Sequence, residues 1–212
     1  MFSARSNEEW EARFAPYDQA TYQAALKHLH PEDVVLDIGA GDLRFARQAA
    51  AIARRVIAIE RNAAVLQSGM SSDPLPSNLQ VVCADALTWR FPPELTTGVL
   101  LMRHCTHFRQ YAEKLRQCGA QRLITNARWR LDVELIDLNT PPLPYAQYPI
   151  GAYACQCGAT GFKIGPVELL TTLQTLDVPQ EVYDCPDCSS SSQSNQTPPP
   201  HQTETSICPN PM

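Results

Sequence analysis

Short apolar runs alternate with amphipathic stretches along the chain up to Asn126. The runs at Val34–Ile38 and residues 56–59 are apolar almost throughout, which predicts parallel strands buried on both faces. The Ala-rich residues 43–54 between them predict a helix, so the three segments form a β-α-β unit. Further predicted elements are strands at residues 78–83, 98–102 and 122–125 and a helix at residues 111–117. This alternation predicts an α/β fold with a Rossmann-like parallel sheet.

The two ends of the chain have different patterns. Helical spacing over residues 7–29, broken by Pro16, predicts two short helices before the sheet. After Asn126, residues 133–138 fit either a helix or a strand, and the Pro-rich residues 141–149 predict an extended linker. Beyond Cys188 the chain is mostly Ser, Gln, Thr and Pro, which predicts disorder. We therefore expect a helical segment at 1–30, a sheet domain at 31–140, a small module at 141–188 and a disordered tail at 189–212.

Composition and charge narrow the class of protein. A hydrophobic content of 44% is ordinary for a globular chain. There is no apolar run long enough to cross a membrane and no secretory signal at the start, so we expect a cytoplasmic protein without membrane contacts. The net charge of -5 disfavours a surface that is basic all over. The segment from Arg103 to Arg130, however, contains seven basic residues and one acidic residue.

This basic segment suggests an anionic partner. Four of its arginines flank the predicted carboxyl ends of strands four and five, where they would gather on one rim and attract phosphate or carboxylate. The alternative is an ordinary solvated face. The four are Arg103, Arg109, Arg128 and Arg130.

A glycine turn follows the first strand. Gly39 and Gly41 let the backbone approach a ligand at the carboxyl edge of the sheet, where open α/β folds bind their ligands. Glu60 ends the second strand and can accept hydrogen bonds from ribose hydroxyls, and Asp85 ends the third and can accept an adenine amino group. A dinucleotide fingerprint is disfavoured because Arg44 stands where its third glycine is required.

These motifs, within roughly residues 15–126, resemble those of class I S-adenosylmethionine-dependent methyltransferases, which carry an acid and glycines after strand one and an acid after each of strands two and three. Residues 56–62 resemble the second motif of ribosomal RNA adenine dimethyltransferases. The resemblance implies S-adenosylmethionine as cofactor, its methionine part at the glycine turn, its ribose at Glu60 and its adenine at Asp85. The implied cofactor-binding residues are Asp37, Gly39, Gly41, Glu60, Arg61, Asp85 and Ala86.

The segment after strand four departs from the family pattern. Amino-methylating members carry an Asn/Asp-Pro-Pro-Tyr-like motif there, whereas residues 102–108 read Met-Arg-His-Cys-Thr-His-Phe, so adenine N6 methylation loses its main sequence support. His104 and His107 lie in this segment as candidate catalytic bases, with packing or surface roles as the alternative. Residues 39–44 also resemble the turn of some lysine methyltransferases, which would imply a protein substrate.

Two close cysteine pairs are separated by 27 intervening residues: Cys155 with Cys157, and Cys185 with Cys188. Four thiolates suit a structural tetrahedral zinc, and the pattern resembles a zinc ribbon, although C-x-C replaces the usual first C-x-x-C. A redox-active pair is the alternative for Cys185 and Cys188, but such motifs normally open a helix and the Ser- and Pro-rich surroundings predict none.

The sequence therefore supports two hypotheses. The first is an S-adenosylmethionine-dependent methyltransferase with a macromolecular substrate, RNA being favoured over protein. The second is a non-catalytic adaptor whose zinc-ribbon-like module and basic segment bind RNA or protein. Formation of S-adenosylhomocysteine would distinguish the two.

Overall fold

The protein is described by a computed structural model at residues 18–71, 73–103, 105–165 and 179–191. Its main sheet has the strand order β3-β2-β1-β4-β5-β6. The first five strands are parallel, and β6 pairs antiparallel with β5. This arrangement confirms the predicted α/β fold with a Rossmann-like sheet. The strands are β1 (Val34–Ile38), β2 (Arg55–Glu60), β3 (Leu79–Cys83), β4 (Thr97–Leu100), β5 (Arg122–Thr125) and β6 (Glu134–Asp137).

The strand order changes direction at β1. From β1 the chain proceeds to β2 and β3 on one side and to β4, β5 and β6 on the other. Open α/β sheets bind their ligands at the carboxyl ends of the strands beside such a reversal, because the connections diverge there and leave a crevice. The site is therefore expected where β1, β2 and β4 end.

Helices cover both faces of the sheet. Gly98 on β4 allows close packing of the helix after β4, because a Cβ at this position would lie 2.4 Å from Leu115 Cδ1. The helix after β1 is shorter than predicted, since the chain turns after Ala50 and the Asn78 side chain donates to the carbonyls of Ala50 and Ala53 at 2.9 and 3.0 Å. The helices of the described residues are α1 (Gln19–Leu26), α2 (Arg44–Ala50), α3 (Ala63–Ser71), α4 (Phe108–Gln117) and α5 (Pro186–Ser191).

A second, four-stranded sheet follows the first. Its order is β7-β10-β8-β9, with an antiparallel hairpin of β8 and β9 and with β10 parallel to β8 and β7. In the part of this unit that the structure describes, the buried core consists of Tyr153, Cys155, Val182 and Cys185. A core of that size supplies little hydrophobic free energy. The strands are β7 (Leu143–Pro144), β8 (Gly151–Cys155), β9 (Thr160–Lys163) and β10 (Gln180–Tyr183).

Three expectations about the ends of the chain lie partly or wholly outside the described residues. They are the first of the two N-terminal helices, the start of the segment 1–30, and residues 192–212 of the predicted disordered tail, whose first residues, 189–191, belong instead to helix α5. Within the described residues, no helix is both long and apolar enough to span a membrane.

Candidate functional site

The glycine turn after β1 packs tightly against its neighbours. Gly39 and Gly41 have φ angles of 75° and 56°, a left-handed region that disfavours side chains. The N–H groups of Gly39 and Ala40 donate to the Ile59 carbonyl at 2.9 and 3.0 Å, which fixes the turn to the end of β2. A Cβ at Gly39 would lie 2.8 Å from Met102 Cε, so the side chain after β4 closes over the turn.

Glu60 joins the ends of β1 and β2. Its Oε2 accepts a hydrogen bond from the Gly41 N–H at 3.1 Å, and its Oε1 accepts one from the Asn62 N–H at 2.8 Å. A carboxylate has about four acceptor positions. The two that remain can accept two ligand hydroxyls while the backbone bonds hold the carboxylate in place.

Asp37 lies inside β1 and is 3% exposed. Its Oδ2 is buried and has no hydrogen-bond partner. Burial, with the charge of Glu60 as a second cause, raises the pKa of Asp37 to about 7. A buried carboxylate in this state is suited to a cationic ligand, because a positive group would satisfy the orphaned oxygen and favour the ionised form.

The loop after β3 lies beside Glu60. The Ala84 N–H donates to the Glu60 carbonyl at 3.1 Å, which brings the half-buried Asp85 next to the end of β2. Asp85 Oδ1 accepts from the Leu87 N–H at 2.9 Å, and Ala86 is buried. The predicted cofactor residues of β1, β2 and β3 are thus brought to one edge of the sheet, with the exposed Arg61 beside them.

Lys114 on α4 stabilises that loop. Its ammonium donates to the carbonyls of Ala86, Leu87 and Trp89 at 2.8, 2.8 and 2.7 Å and lies 4.5 Å from the centre of the Phe91 ring. All three donors are used. In the sequence Lys114 is only one of the seven basic residues between Arg103 and Arg130. Its role was not predicted, because the sequence does not indicate which carbonyls its side chain contacts.

Tyr111 is a second residue of α4 that the sequence did not single out. It is buried, and burial, followed by its neighbours Cys105 and Asp85, raises the pKa of Tyr111 to about 12. Arg61 opposes this rise and Glu60 adds to it. The phenol therefore faces the same edge of the sheet as the predicted cofactor residues.

Of the two candidate catalytic histidines, His107 is among the described residues. His104 lies outside the described residues. His107 directly precedes α4, and its ring meets the Tyr111 ring edge-on with 6.4 Å between the ring centres. This places His107 near the site through Tyr111, with its catalytic role still a prediction.

Asn126 directly follows β5 and was not predicted as a site residue. Its side chain is 0% exposed, and neither its Oδ1 nor its Nδ2 has a hydrogen-bond partner. Buried amides are nearly always hydrogen-bonded, since an unpaired one loses its contacts with water without compensation. The signal in the sequence was only a polar residue at the carboxyl end of a strand.

The prediction that Arg128 belongs to an exposed basic rim is wrong. Its side chain is 1% exposed, and its guanidinium donates to both carboxylate oxygens of Glu134 and to both of Glu181. It also lies 4.7 Å from the centre of the Phe108 ring. Burial opposes the charge, but the two carboxylates raise the pKa of Arg128 above its usual value. Sequence spacing did not indicate that acids of β6 and β10 would enclose this arginine.

The other three arginines of the predicted rim are exposed. Arg109 forms an ion pair with Glu113 at 2.8 Å on the surface of α4. Arg103 donates to the Leu131 carbonyl at 3.3 Å, and the Arg130 guanidinium lies 5.2 Å from the centre of the Trp129 ring. Arg103 therefore contacts the segment that carries Arg130, whereas the Arg109 charge is already balanced.

The four predicted zinc ligands come together at one end of the second sheet. The Sγ atoms of Cys155 and Cys188 are 3.6 Å apart, those of Cys157 and Cys185 are 3.6 Å apart, and all four lie within 4.8 Å of one another. A tetrahedral zinc with bonds of about 2.3 Å requires sulfur atoms about 3.8 Å apart. The four cysteines thus have the spacing of a tetrahedral thiolate site.

The backbone supports this cluster. Cys155 ends β8, Cys157 lies in the following turn, and Cys185 follows β10. Burial opposes ionisation of Cys155, but backbone N–H groups of Cys157 and Cys185 lower its thiol pKa, whereas burial raises the pKa of Cys185 to about 11. The Cys155 thiolate is therefore favoured before that of Cys185.

The prediction that no helix opens at Cys185 and Cys188, which was used against a redox-active pair, is wrong. A short helix, α5, does open at Pro186 between Cys185 and Cys188. It forms because Pro suits a first helical position and Asp187 is favourable in a first turn. What now disfavours an isolated redox pair is the proximity of the other two thiols.

The sequence of residues 14–123, slightly more than half of the chain, matches the family model described as ribosomal RNA adenine dimethylase. The chain belongs to this family. No curated protein sequence matches it. Membership of the family agrees with the glycine turn and the three acids at the carboxyl edge of the sheet, and confirms the resemblance to class I methyltransferases.

Solved structures that the chain resembles include two rRNA methyltransferases and a dimethyladenosine transferase. The 23S rRNA methyltransferase ErmE is 23% identical, with a TM-score of 0.46 over 51% of this chain and 46% of ErmE. A dimethyladenosine transferase from Plasmodium falciparum is 19% identical, with a TM-score of 0.41 over 50% of this chain and 39% of the other. An rRNA methylase from Streptococcus thermophilus is 16% identical, with a TM-score of 0.41 over 52% of this chain and 70% of the methylase. The chain thus spans less than half of the length of the first two proteins.

Proposed function

We propose that this protein is an S-adenosylmethionine-dependent methyltransferase that modifies RNA. The observation that carries the proposal is the arrangement of Asp37, the glycine turn and Glu60 at the carboxyl edge of the sheet, in a chain of the ribosomal RNA adenine dimethylase family. The family match favours RNA over a protein substrate. The family match also favours an enzyme over a non-catalytic adaptor.

The residues present fit S-adenosylmethionine. The buried, unpaired Oδ2 of Asp37 suits the ammonium of the methionine part, and the turn at Gly39 and Gly41 gives that part room. Glu60 would accept from the ribose hydroxyls and Asp85 from the adenine amino group, with Arg61 and Ala86 beside them. Lys114 and Tyr111 would position the adenine side of the site through the loop after β3 and the face of α4.

When bound, S-adenosylmethionine supplies a methyl group on a cationic sulfur, and its transfer to a base nitrogen leaves S-adenosylhomocysteine and releases one proton from that nitrogen. The chain has to align the base, exclude water and accept the proton or pass it to solvent. His104 and His107, which follow β4, are the groups that we propose for proton acceptance.

We further propose a structural zinc at Cys155, Cys157, Cys185 and Cys188. The sulfur spacing supports it, and with four protein ligands the metal would have no open position for catalysis. Its role would be to fold the module at residues 141–188, whose core among the described residues is small. The domain at residues 31–140 would carry out the chemistry.

The test is methyl transfer from labelled S-adenosylmethionine to ribosomal RNA and, separately, to cell proteins. We expect label in RNA and formation of S-adenosylhomocysteine. Glu60→Ala should weaken cofactor binding in calorimetry by roughly ten- to a hundredfold, because the ribose loses a charge-assisted acceptor. Glu113→Ala, which removes an exposed carboxylate of α4, is the matched control and should bind normally. Label only in protein, or an unchanged dissociation constant for Glu60→Ala, would contradict the proposal.

A further inference from the structure

Gly69 lies in the interior of α3, where glycine is an unfavourable residue. Glycine destabilises a helix interior relative to alanine, and the φ angle of Gly69 is not positive, so the backbone does not require glycine here. The reason lies outside the helix. A Cβ on the buried Gly69 would lie 2.2 Å from the Asp42 carbonyl oxygen and 2.5 Å from the carbonyl carbon. These are backbone atoms, so α3 lies directly against the loop after β1.

The loop that α3 contacts has an unusual backbone. Gly39 and Gly41 have positive φ angles, and so does Leu43, with a φ of 69° and a side chain that is 0% exposed. A residue other than glycine rarely adopts this conformation, and it keeps it only where the surrounding structure holds it. The loop therefore depends on its neighbours for its shape, and α3 is one of them.

The start of α3 is attached to Glu60. The Asn62 N–H donates to Glu60 Oε1 at 2.8 Å, and the Asn62 side chain accepts from the N–H groups of Ala64 and Val65 at 3.1 and 3.3 Å. Asn62 thus caps the helix and joins it to the carboxylate that also accepts from the Gly41 N–H. The loop and α3 are therefore linked through Glu60 at one end and are in contact again at the interior glycine.

Arg47 on α2 holds the other end of α3. Its guanidinium donates to the carbonyls of Gly69, Asp73 and Pro74 at 2.9, 2.8 and 3.0 Å. Because α2 directly follows the loop, this clamp joins the segment after the glycine turn to the last turn of α3. The helix is thus fixed on both sides of the point where it contacts Asp42.

We propose that Gly69 is a positioning residue for S-adenosylmethionine: its lack of a side chain lets α3 hold the glycine turn and Glu60 at the separation that the cofactor requires. The inference rests on the proposed function, in which the turn takes the methionine part and Glu60 the ribose. Both parts belong to one molecule, so a change in the separation of their binding groups lowers affinity. The helix connects β2 to β3, away from β4 and β5, so the effect falls on cofactor binding rather than on turnover.

The central variant is Gly69→Ala, which adds one methyl group at the contact. The dissociation constants of S-adenosylmethionine and S-adenosylhomocysteine should rise roughly ten- to a hundredfold in calorimetry. In the cofactor-free protein the Gly41 amide should exchange its hydrogen faster, because its bond to Glu60 is disturbed. With ribosomal RNA as substrate, KM for the cofactor should rise, while kcat at saturating cofactor should stay near the wild-type value.

Ala64→Gly is the matched control. It exchanges the same two residue types at an exposed position of the same helix, so it should lose thermal stability through helix propensity alone. Its cofactor affinity and the exchange rate of the Gly41 amide should equal those of the wild type. An affinity loss of the same size in Ala64→Gly would show that cofactor binding follows the stability of α3 and not the contact at Gly69.

Arg47→Met provides a second test if Gly69→Ala does not fold. It removes the clamp on the last turn of α3 and adds nothing at the contact with Asp42, so the cofactor dissociation constant should again rise. Arg54→Met, at an exposed arginine, is its control and should bind the cofactor normally. Wild-type affinity in Gly69→Ala, or in Arg47→Met where only that variant folds, overturns the inference alone. A wild type that binds no S-adenosylmethionine overturns the proposed function and the inference with it, so the two failures are distinguishable.

Discussion

Arg128, three residues beyond the end of β5, and Glu181, on β10, form a buried ion pair between the main sheet and the second sheet. Both nitrogens at the end of the guanidinium take part, and Arg128 also donates to the Cys155 carbonyl at 3.4 Å. Glu134 on β6 occupies the remaining donors. The arginine therefore connects the segment after β5 to the strand that leads into the cysteine cluster.

Replacing Arg128 by Ala should destabilise the protein by about 3–5 kcal/mol, because two carboxylates lose their shared partner in a poorly solvated position. Glu181→Gln should cause a smaller loss, since Glu134 still neutralises the guanidinium. Urea unfolding measures both. Arg109→Ala, which breaks an exposed pair on α4, is the control and should change stability by less than about 1 kcal/mol. An Arg128→Ala variant as stable as this control would show that the buried network contributes no net stability.

Asp37 should make stability and cofactor binding depend on pH in opposite directions. Its pKa of about 7 in the folded protein exceeds the ordinary value of 3.8, so the folded state holds the proton more tightly than the unfolded chain. The stability contributed by the protonated carboxyl is present at low pH and is lost as pH rises from about 4 to about 7. A cationic cofactor prefers the ionised form, so its affinity should rise over the same range and level off above it.

Asp37→Asn should separate these two effects. The variant lacks the buried charge, so above pH 7 the free protein should be more stable than the wild type, by at most about 4 kcal/mol. Its cofactor affinity should be weaker and should lose the rise between pH 4 and 7. Calorimetric titrations and thermal melts over this range test both statements. A variant that binds the cofactor as the wild type does would rule out contact between Asp37 and a cationic group.

Gly39 and Gly119 allow backbone strain to be separated from loss of space. Both have positive φ angles, 75° and 86°. A Cβ on Gly119 would meet nothing within 4 Å, whereas one on Gly39 would lie 2.8 Å from Met102 Cε. Both Ala variants should lose roughly 1 kcal/mol of stability from strain. Only Gly39→Ala should also lose cofactor affinity, measured by calorimetry. Equal affinities would place the methionine part away from this turn.

Lys114→Met tests whether the loop after β3 positions the cofactor. The variant keeps an apolar stem and loses three hydrogen bonds to carbonyls, so stability should fall by about 1.5–3 kcal/mol and the cofactor dissociation constant should rise. Lys27→Met, at an exposed residue that follows α1, is the control. Unaltered cofactor binding in a destabilised Lys114→Met would restrict the role of Lys114 to folding.

The sheet could be predicted from the sequence because each strand is indicated by its own residues, without knowledge of the strands it pairs with. Val34–Ile38 is apolar enough to be recognised without knowledge of its partners, and the glycines and acids that follow the strands are placed by topology alone. Residues 133–138 were ambiguous because a short apolar run interrupted by two acids fits a helix or an edge strand equally well. Pairing with β5 decides the matter.

The features that could not be predicted depend on contacts between distant segments. Arg128 was assigned to a basic surface, whereas acids from β6 and β10, separated from it by 6 and 53 positions, bury it. Asn126 shows no sign in the sequence that its amide is unpaired, because this property belongs to the packed environment. The cysteine cluster is an intermediate case, since the two pairs were visible but their approach required the strand β10 to lie beside β8.

Removal of zinc should affect the second sheet first and the main sheet little. If Cys155, Cys157, Cys185 and Cys188 share one ion, purified protein should contain one equivalent of zinc, and Cys188→Ser should retain less. Because thiolate coordination supplies most of the folding free energy of so small a unit, the variant should lose hydrogen-exchange protection mainly in β8, β9 and β10.

The ion pair between Arg128 and Glu181 adds a more specific expectation: some protection should also be lost around residues 126–134, while β1 and β2 stay protected. Cys118→Ser is the control, since this half-buried thiol donates to the Leu115 carbonyl at 3.2 Å and lies outside the cluster. It should keep the full metal content. Protein purified without chelators that contains no zinc would contradict the metal site, and an even loss of protection across the main sheet in Cys188→Ser would contradict a separately folded module.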